Sequence, residues 1–161
     1  MRDPYQVFLA LVCLLIIVGP LVLVGFLFLS TMARAASKVS PENRRLEPSQ
    51  VWLNLIPMFN LVWCSISVDR LAESLRNEYV SRGLDQPQNS YGRSSGLTCL
   101  VLTVIGFFLL LAATSDFTLL PGFVMSLLAG LFGIVYWVQL TGYARGLRAG
   151  AYRPPPIDEE W

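Results

Sequence analysis

The chain has 161 residues, of which 54% are hydrophobic and 14% are charged, and it carries a formal net charge of +1. Soluble domains contain roughly 25% charged residues. A soluble chain of this length could not bury so much apolar surface, so the composition excludes an ordinary soluble domain. The chain contains no histidine, which removes the commonest general base and the commonest metal ligand.

The three cysteines, Cys13, Cys64 and Cys99, all lie inside apolar stretches and form no CxxC pair. We therefore expect them to pack as small apolar side chains, and we predict no zinc or redox site. We also expect no catalytic residue, no cofactor, no bound metal and no nucleic-acid partner.

Four apolar stretches dominate the chain, and they cover residues 7–32, 51–68, 97–114 and 119–140. Each is about as long as the ~20 residues that a helix needs to cross hydrocarbon. The pattern predicts an all-α integral membrane bundle of four membrane-embedded helices. We expect these helices at about residues 6–33, 49–82, 95–114 and 119–147 of a single domain over 1–148, with 149–161 as a flexible, proline-rich and acidic tail.

The first stretch carries no charge, and Gly19 and Pro20 fall near its middle. Proline removes one backbone hydrogen bond and clashes with the preceding turn, so we expect a kink there. The following Ala33-Arg34-Ala35 is compatible with a secretory cleavage site, but the apolar run before it is too long for a signal peptide. A retained membrane helix is the favoured interpretation, and cleavage is the alternative.

The second stretch is the most polar of the four. Asn54, Pro57 and Asn60 recur every three residues, so one continuous helix would place them near one face and form a polar intramembrane face. Trp52 and Trp63 are candidate anchors at the membrane interface. They are only ~16 Å apart along a helix, which is closer than two belts on one spanning helix should be.

The chain continues without a break signal into an amphipathic segment over residues 69–82, which predicts a helical extension on the cytoplasmic side. Its charges do not form a nucleophile–base pair. We expect them to be solvated or to contact lipid headgroups rather than to catalyse a reaction. These charged residues are Asp69, Arg70, Glu73, Arg76 and Glu78.

The distribution of basic residues can be compared for two possible topologies of the second stretch, because basic residues are in excess on the cytoplasmic side. If it spans, the connector 33–50, with four of the twelve basic residues, lies outside and eight remain inside. If it is re-entrant, only Arg2 lies outside. The charge rule favours the re-entrant form, whereas hydropathy favours a plain kinked spanning helix, and hydropathy is the stronger signal on so short a chain. The C-terminus is expected to be cytoplasmic.

The fourth stretch carries Gly122, Ser126 and Gly130 at four-residue spacing. Small residues in this pattern let two helix backbones approach closely. A four-residue turn at 115–118 makes the third and fourth helices antiparallel neighbours, so we prefer a seam between them to a homodimer face. Tyr136 and Trp137, near the end of the stretch, are further candidate interface anchors.

The asparagine face of the second stretch has two interpretations. It could line a small pathway or ligand site, or it could form interhelical hydrogen bonds that fix the bundle. We favour the second interpretation, because no ionisable residue lies at mid-membrane, where such residues usually mark ion paths.

The block Arg44-Arg45-Leu46-Glu47-Pro48, followed by Trp52 to Trp63, resembles a family of uncharacterised bacterial four-helix membrane proteins, a domain of unknown function. Members of that family carry a similar R-x-L-x-P…W-L-x-L-I-P-x-F-N-x-x-W pattern. A similar S-L-x-x-E follows it, and a Y-W pair precedes a basic end. Here the later matches are Ser74-Leu75, Glu78, Tyr136-Trp137 and Arg145. The resemblance implies a multi-pass protein of the bacterial inner membrane and carries no activity with it.

These features favour a non-enzymatic membrane scaffold or accessory subunit, whose partners are the bilayer and other proteins or further copies of itself. The alternative is a small oligomeric channel or transporter that uses the Asn54, Pro57 and Asn60 face. A membrane enzyme that acts on lipid ranks third.

Overall fold

A computed structural model of the protein describes residues 4–84, 87–113 and 116–149, and no residue in these ranges lies in a strand. The all-α class is therefore confirmed for this part of the chain. The elements in order are α1 (Pro4–Ser37), a short 3-10 helix η1 (Gln50–Leu55), α2 (Pro57–Ser81), α3 (Arg93–Ala112) and α4 (Asp116–Ala149).

The first, third and fourth predicted helices correspond to α1, α3 and α4, with ends shifted by two to four residues. All three are long and apolar enough to cross a membrane, and α2 is not among the described helices that meet this condition. Helix α1 runs through Pro20 without interruption. The predicted tail falls almost wholly on residues 150–161, and the predicted turn partly on 114–115, which lie outside the described residues.

The predicted single helix over 49–82 is wrong, because the chain breaks at Ile56. Ile56 has an extended backbone (φ −81°, ψ 109°) and separates η1 from α2. The cause is local: proline disfavours the helical region for the residue before it, and its fixed φ suits the first position of a new helix. Pro57 therefore begins α2 rather than kinking a longer helix.

The connector before η1 runs back along α2 in the opposite direction. Ser40 lies beside Glu78, where its N–H donates to the carboxylate at 3.0 Å. Further on, the Arg45 N–H donates to Ser74 Oγ at 2.8 Å. The connector and α2 thus form a hairpin that turns at Ile56, and both open ends of this hairpin lie at the same end of the bundle.

This end, which we call the polar end, is where the C-termini of α1, α2 and α4 meet the N-terminus of α3. It holds the buried core, whose largest members are at most 1% exposed: Met32, Leu46, Leu71, Leu75 and Leu140. Away from it the helices have little protein around them. Only 17–18% of the most apolar segment of each candidate span is buried against the rest of the chain.

Close packing at the start of α3 requires glycine. A Cβ added at Gly96 would lie 2.6 Å from Cγ1 of the buried Val68 and 3.2 Å from the Tyr136 ring. Gly92, with φ +85°, lies against the same ring. Since Val68 is β-branched and has few rotamers, it cannot move aside easily.

We expect Gly96→Ala to destabilise the protein by about 1–3 kcal/mol, because the added methyl group overpacks the contact with Val68. The matched control is Gly142→Ala in α4, where no atom lies within 4 Å of the added Cβ; it should stabilise by about 0.5–1 kcal/mol. Thermal unfolding in detergent measures both effects. Equal midpoints for the two variants would contradict the packing at the start of α3.

Candidate functional site: the polar end of the bundle

A buried carboxylate lies at the centre of the polar end. Glu78 is 1% exposed, and its side chain accepts hydrogen bonds from three residues in two separate parts of the chain. The Ser40 hydroxyl donates to Oε1 at 2.8 Å, and the Asn43 amide donates to Oε2 at 2.9 Å. Arg82 donates to Oε1 from Nε at 2.9 Å and from Nη2 at 2.7 Å. The carboxylate is therefore ion-paired with Arg82, and hydrogen bonds from the protein replace those that water would donate.

The same cluster joins α2 and the start of the connector to carbonyl groups near the end of α4. Arg82 Nη1 donates to the Leu147 carbonyl at 2.7 Å, and Lys38 Nζ donates to the Ala144 carbonyl at 2.8 Å. The Tyr79 hydroxyl donates to the Tyr143 carbonyl at 3.0 Å. Leu147 lies in the last turn of α4, where carbonyls lack partners within the helix, and cations near that end complement the helix dipole. These side chains therefore fix the end of α4 in place.

The environment of Glu78 keeps it ionised. Burial alone would raise the pKa of the carboxyl group, but the hydrogen bonds from Asn43, Ser40 and Arg82 outweigh burial and lower the pKa from 4.5 to about 2. Because the folded pKa lies below the unfolded one, ionised Glu78 stabilises the fold fully above about pH 4.5. That stabilisation is lost as the pH falls toward 2.

A cluster of three tyrosines packs next to this network. The ring centroids of Tyr79, Tyr91 and Tyr143 lie 5.3–6.1 Å apart. The Tyr143 hydroxyl donates to Asn89 Oδ1 at 2.6 Å, and Tyr91 adopts a positive φ of 50°. These contacts join residues 89–91 to α2 and α4, and the same residues form one wall of the neighbouring cleft.

A charged cleft of about 390 Å³ opens between α2 and this loop. Asp69 pairs with Arg93 across it, and Glu73 forms a long ion pair (3.6 Å) with Arg45. Arg76 is exposed, and no other described side chain pairs with it. The cleft lining consists of Asp69, Ala72, Glu73, Arg76, Asn89, Ser90, Tyr91 and Arg93.

The predicted asparagine face is not one helical face. Asn54 lies in η1 and is 6% exposed, whereas Pro57 begins α2 and Asn60 is an exposed residue of its first turn. The Asn54 amide donates to the Val51 carbonyl at 2.8 Å and to Ser67 Oγ at 3.3 Å. No described residue donates to its Oδ1. A three-residue spacing places side chains on one face only within an uninterrupted helix, and the break at Ile56 separates Asn54 from Pro57 and Asn60.

The tryptophans of the second stretch each have a protein partner. The Trp52 ring lies 5.3 Å from that of Phe26. The Trp63 indole donates to the Gln50 carbonyl at 2.8 Å, and the Arg70 guanidinium lies 5.7 Å from its ring. These contacts link α1, η1 and α2.

The other two candidate anchors differ from each other. Tyr136 is 3% exposed, so its prediction as an interface anchor is wrong; its ring fills the space beneath the glycines of α3. Trp137 is half-buried, and its indole donates to Thr31 Oγ1 of α1 at 3.1 Å.

Two of the three small residues of α4 pack against α3, and the third does not. Gly122 lies against Leu110 of α3, and Ser126 lies against Gly106 of α3. No atom lies within 4 Å of a Cβ added at Gly130. Gly130 instead lines an apolar groove of about 610 Å³ that α1, α3 and α4 form together.

Comparison with protein-family models, with curated proteins and with solved structures found no match to this chain. Among the described residues, no group of three or more acidic residues or cysteines has the arrangement of a metal site. The polar end is therefore interpreted from its own geometry.

Sequence reasoning missed most of the Glu78 network. The i,i+4 spacing of Glu78 and Arg82 was visible, but on a helix that was expected to be solvated. Ser40 and Asn43 are 38 and 35 residues away from Glu78, and no local pattern connects them to it. The polar composition of the connector was the one available signal.

We expect Glu78→Gln to lower the free energy of unfolding by about 3 kcal/mol at pH 7, because it removes the charge that compensates Arg82. The loss of stability of the unmodified protein between about pH 4.5 and pH 2 should become smaller in the variant. Chemical unfolding in detergent across this pH range measures both effects. The control is Glu47→Gln, which removes an exposed ion pair and should cost less than ~1 kcal/mol. Equal losses in the two variants would show that Glu78 is not the central group.

Proposed function

We propose that the protein is a multi-pass protein of the bacterial inner membrane with three spans, α1, α3 and α4, and with its polar end in the cytoplasm. The charge distribution supports this orientation. Of the twelve basic residues, Arg2 and Arg153 lie outside the described residues, and the other ten all belong to the polar end. An excess of Lys and Arg marks the cytoplasmic side.

In this orientation the hairpin tip enters the cytoplasmic leaflet and returns. The tip is apolar and faces outward, as the exposed side chains Leu53, Leu55, Ile56, Phe59 and Val62 indicate. Backbone polar groups at membrane depth must be hydrogen-bonded within the protein. The Ile56 N–H donates to the Leu53 carbonyl, and the Ile56 carbonyl accepts from the N–H groups of Phe59 and Asn60. The proximity of the connector to the end of α2 supports the re-entrant form over the spanning helix.

For function, we propose a non-enzymatic scaffold or accessory subunit that binds other membrane proteins through its apolar helices. The observation that carries this proposal is the outer part of α1. Leu15 is 74% exposed and Val22 is 64% exposed, and both precede the ring contact between Phe26 and Trp52 of η1. A long apolar helix with so little intramolecular contact is available to a neighbouring helix.

The channel alternative gains no support from a specific observation. It required Asn54 and Asn60 to share a polar lining, but the first is buried against Ser67 and the second belongs to the exposed start of another helix. We therefore keep the subunit function as the proposal.

A photo-reactive amino acid placed at Leu15 or Val22 in living cells tests the proposal. We expect a discrete protein adduct at both positions, either with one identified membrane protein or with a second copy of the chain. The same adduct partner should co-purify with the unmodified protein in a fixed ratio. The control position is Val138 of α4, which is 64% exposed and should give lipid adducts. Lipid adducts alone at all three positions would contradict a subunit function.

A further inference from the structure

We propose that the charged cleft at the polar end binds the headgroup of a phospholipid with a primary ammonium, a phosphoethanolamine group. The phosphate would lie on Arg76 and the ammonium on the carboxylates of Glu73 and Asp69. This inference goes beyond the subunit function; it rests on the proposed placement of the polar end at the membrane surface, but not on the subunit role.

The cleft presents both signs of charge on one helix. Glu73 and Arg76 are one helical turn apart on α2, and Asp69 lies one further turn toward the membrane. Arg76 is the lining cation without a partner among the described residues, and its planar guanidinium suits phosphate oxygens. Arg93 is already engaged by Asp69, and Arg45 by Glu73. Arg76 is therefore the cation available to an added phosphate. Each ion pair uses one carboxylate oxygen, Oδ1 of Asp69 and Oε1 of Glu73, so the second oxygen of each carboxylate can still accept from an ammonium.

The carboxylates of Asp69 and Glu73 favour a headgroup that carries an ammonium. An anionic headgroup would use Arg76 alone and would leave the second oxygen of each carboxylate without a donor from the ligand. A zwitterionic group with a two-carbon unit between phosphate and ammonium can satisfy both signs from a single position, because side chains one turn apart lie about 5–6 Å apart. A primary ammonium donates three hydrogen bonds to carboxylate oxygens, whereas a quaternary ammonium donates none.

The depth of the cleft favours a lipid over a soluble ligand. The apolar stretch of α3 begins four residues after Arg93, which is ~6 Å along the helix. On α2, Asp69 lies six residues, or ~9 Å, beyond Trp63, whose contact with Arg70 is typical of a membrane interface. The polar layer on each side of the hydrocarbon is about 5–8 Å thick. The cleft thus lies at headgroup level.

The volume and order of the cleft agree with such a ligand. About 390 Å³ falls in the range of small-molecule sites, roughly 300–1,000 Å³. The tyrosine cluster and Asn89 hold the loop side of the cleft, and the buried core of α2 holds the other side. Both walls of the cleft are therefore held by contacts with the rest of the polar end.

Native mass spectrometry of the full chain, released from nanodiscs with equal amounts of phosphatidylethanolamine, phosphatidylcholine and phosphatidylglycerol, tests the proposal. We expect retention of one phosphatidylethanolamine in preference to the other two lipids. Arg76→Gln should reduce its retention about tenfold, as expected for the loss of a charge-assisted hydrogen bond. Glu73→Gln should remove the preference over phosphatidylcholine.

Two further variants separate the cleft from general effects. Ser90→Trp fills the cleft without changing a charge and should also prevent retention. Arg34→Gln removes an exposed arginine outside the cleft and should change nothing. Arg34, Glu73 and Arg76 are charged and exposed, and Ser90 is exposed, so we expect the variants to fold. Size-exclusion profiles in detergent verify this for each variant.

Binding experiments with water-soluble compounds distinguish a lipid headgroup from a free ligand of the same chemistry. Glycerophosphoethanolamine and inorganic phosphate are titrated into delipidated protein. Tight binding of either soluble compound without lipid retention would overturn the assignment to a lipid. Equal retention of phosphatidylethanolamine and phosphatidylcholine, or retention unaffected by Arg76→Gln and Ser90→Trp, would overturn the site itself.

Discussion

A buried carboxylate must be surrounded by donors, and Glu78 meets this requirement with groups from separate parts of the chain. The connector after α1 contributes Ser40 and Asn43, and α2 contributes Arg82, which also binds the end of α4. Removal of any one donor leaves a buried charge poorly compensated, which is costly. The polar end therefore links the connector, the end of α2 and the end of α4, and the position of the connector relative to α4 depends on this network.

The Glu78 network can form only because the chain reverses at Ile56 and Pro57. If residues 50–81 formed one helix, Ser40 and Glu78 would lie at opposite ends of it. The proline places an extended residue between η1 and α2, so the connector returns along α2 and its donors reach Glu78. A local backbone restriction thereby determines which side of the membrane the connector occupies in the proposed orientation, and the charged cleft on α2 lies on that same side.

Much of the fold could be predicted because the length and hydropathy of α1, α3 and α4 are local properties of the sequence. The break at Ile56 had a local signal in Pro57, but the apolar run over 51–68 outweighed it. Tyr136 was misassigned because an aromatic residue near a span end has the same sequence pattern whether it faces lipid or two glycines. The burial of Glu78 depended on partners far away in the chain, and a single sequence gives no measure of such proximity.

The central claim is that the connector and the end of α2 lie side by side at one face of the membrane. Cysteines at Asn43 and Ser81, whose side chains are 3.0 Å apart, test it in native membranes on a background with Cys13, Cys64 and Cys99 replaced by alanine. A short thiol-to-thiol reagent should link this pair as efficiently as a control pair at Ser95 and Gln139, whose side chains are 2.6 Å apart. Efficient linking of the control pair without linking of Asn43→Cys to Ser81→Cys would contradict the account, because a spanning second helix separates these two positions by the thickness of the bilayer.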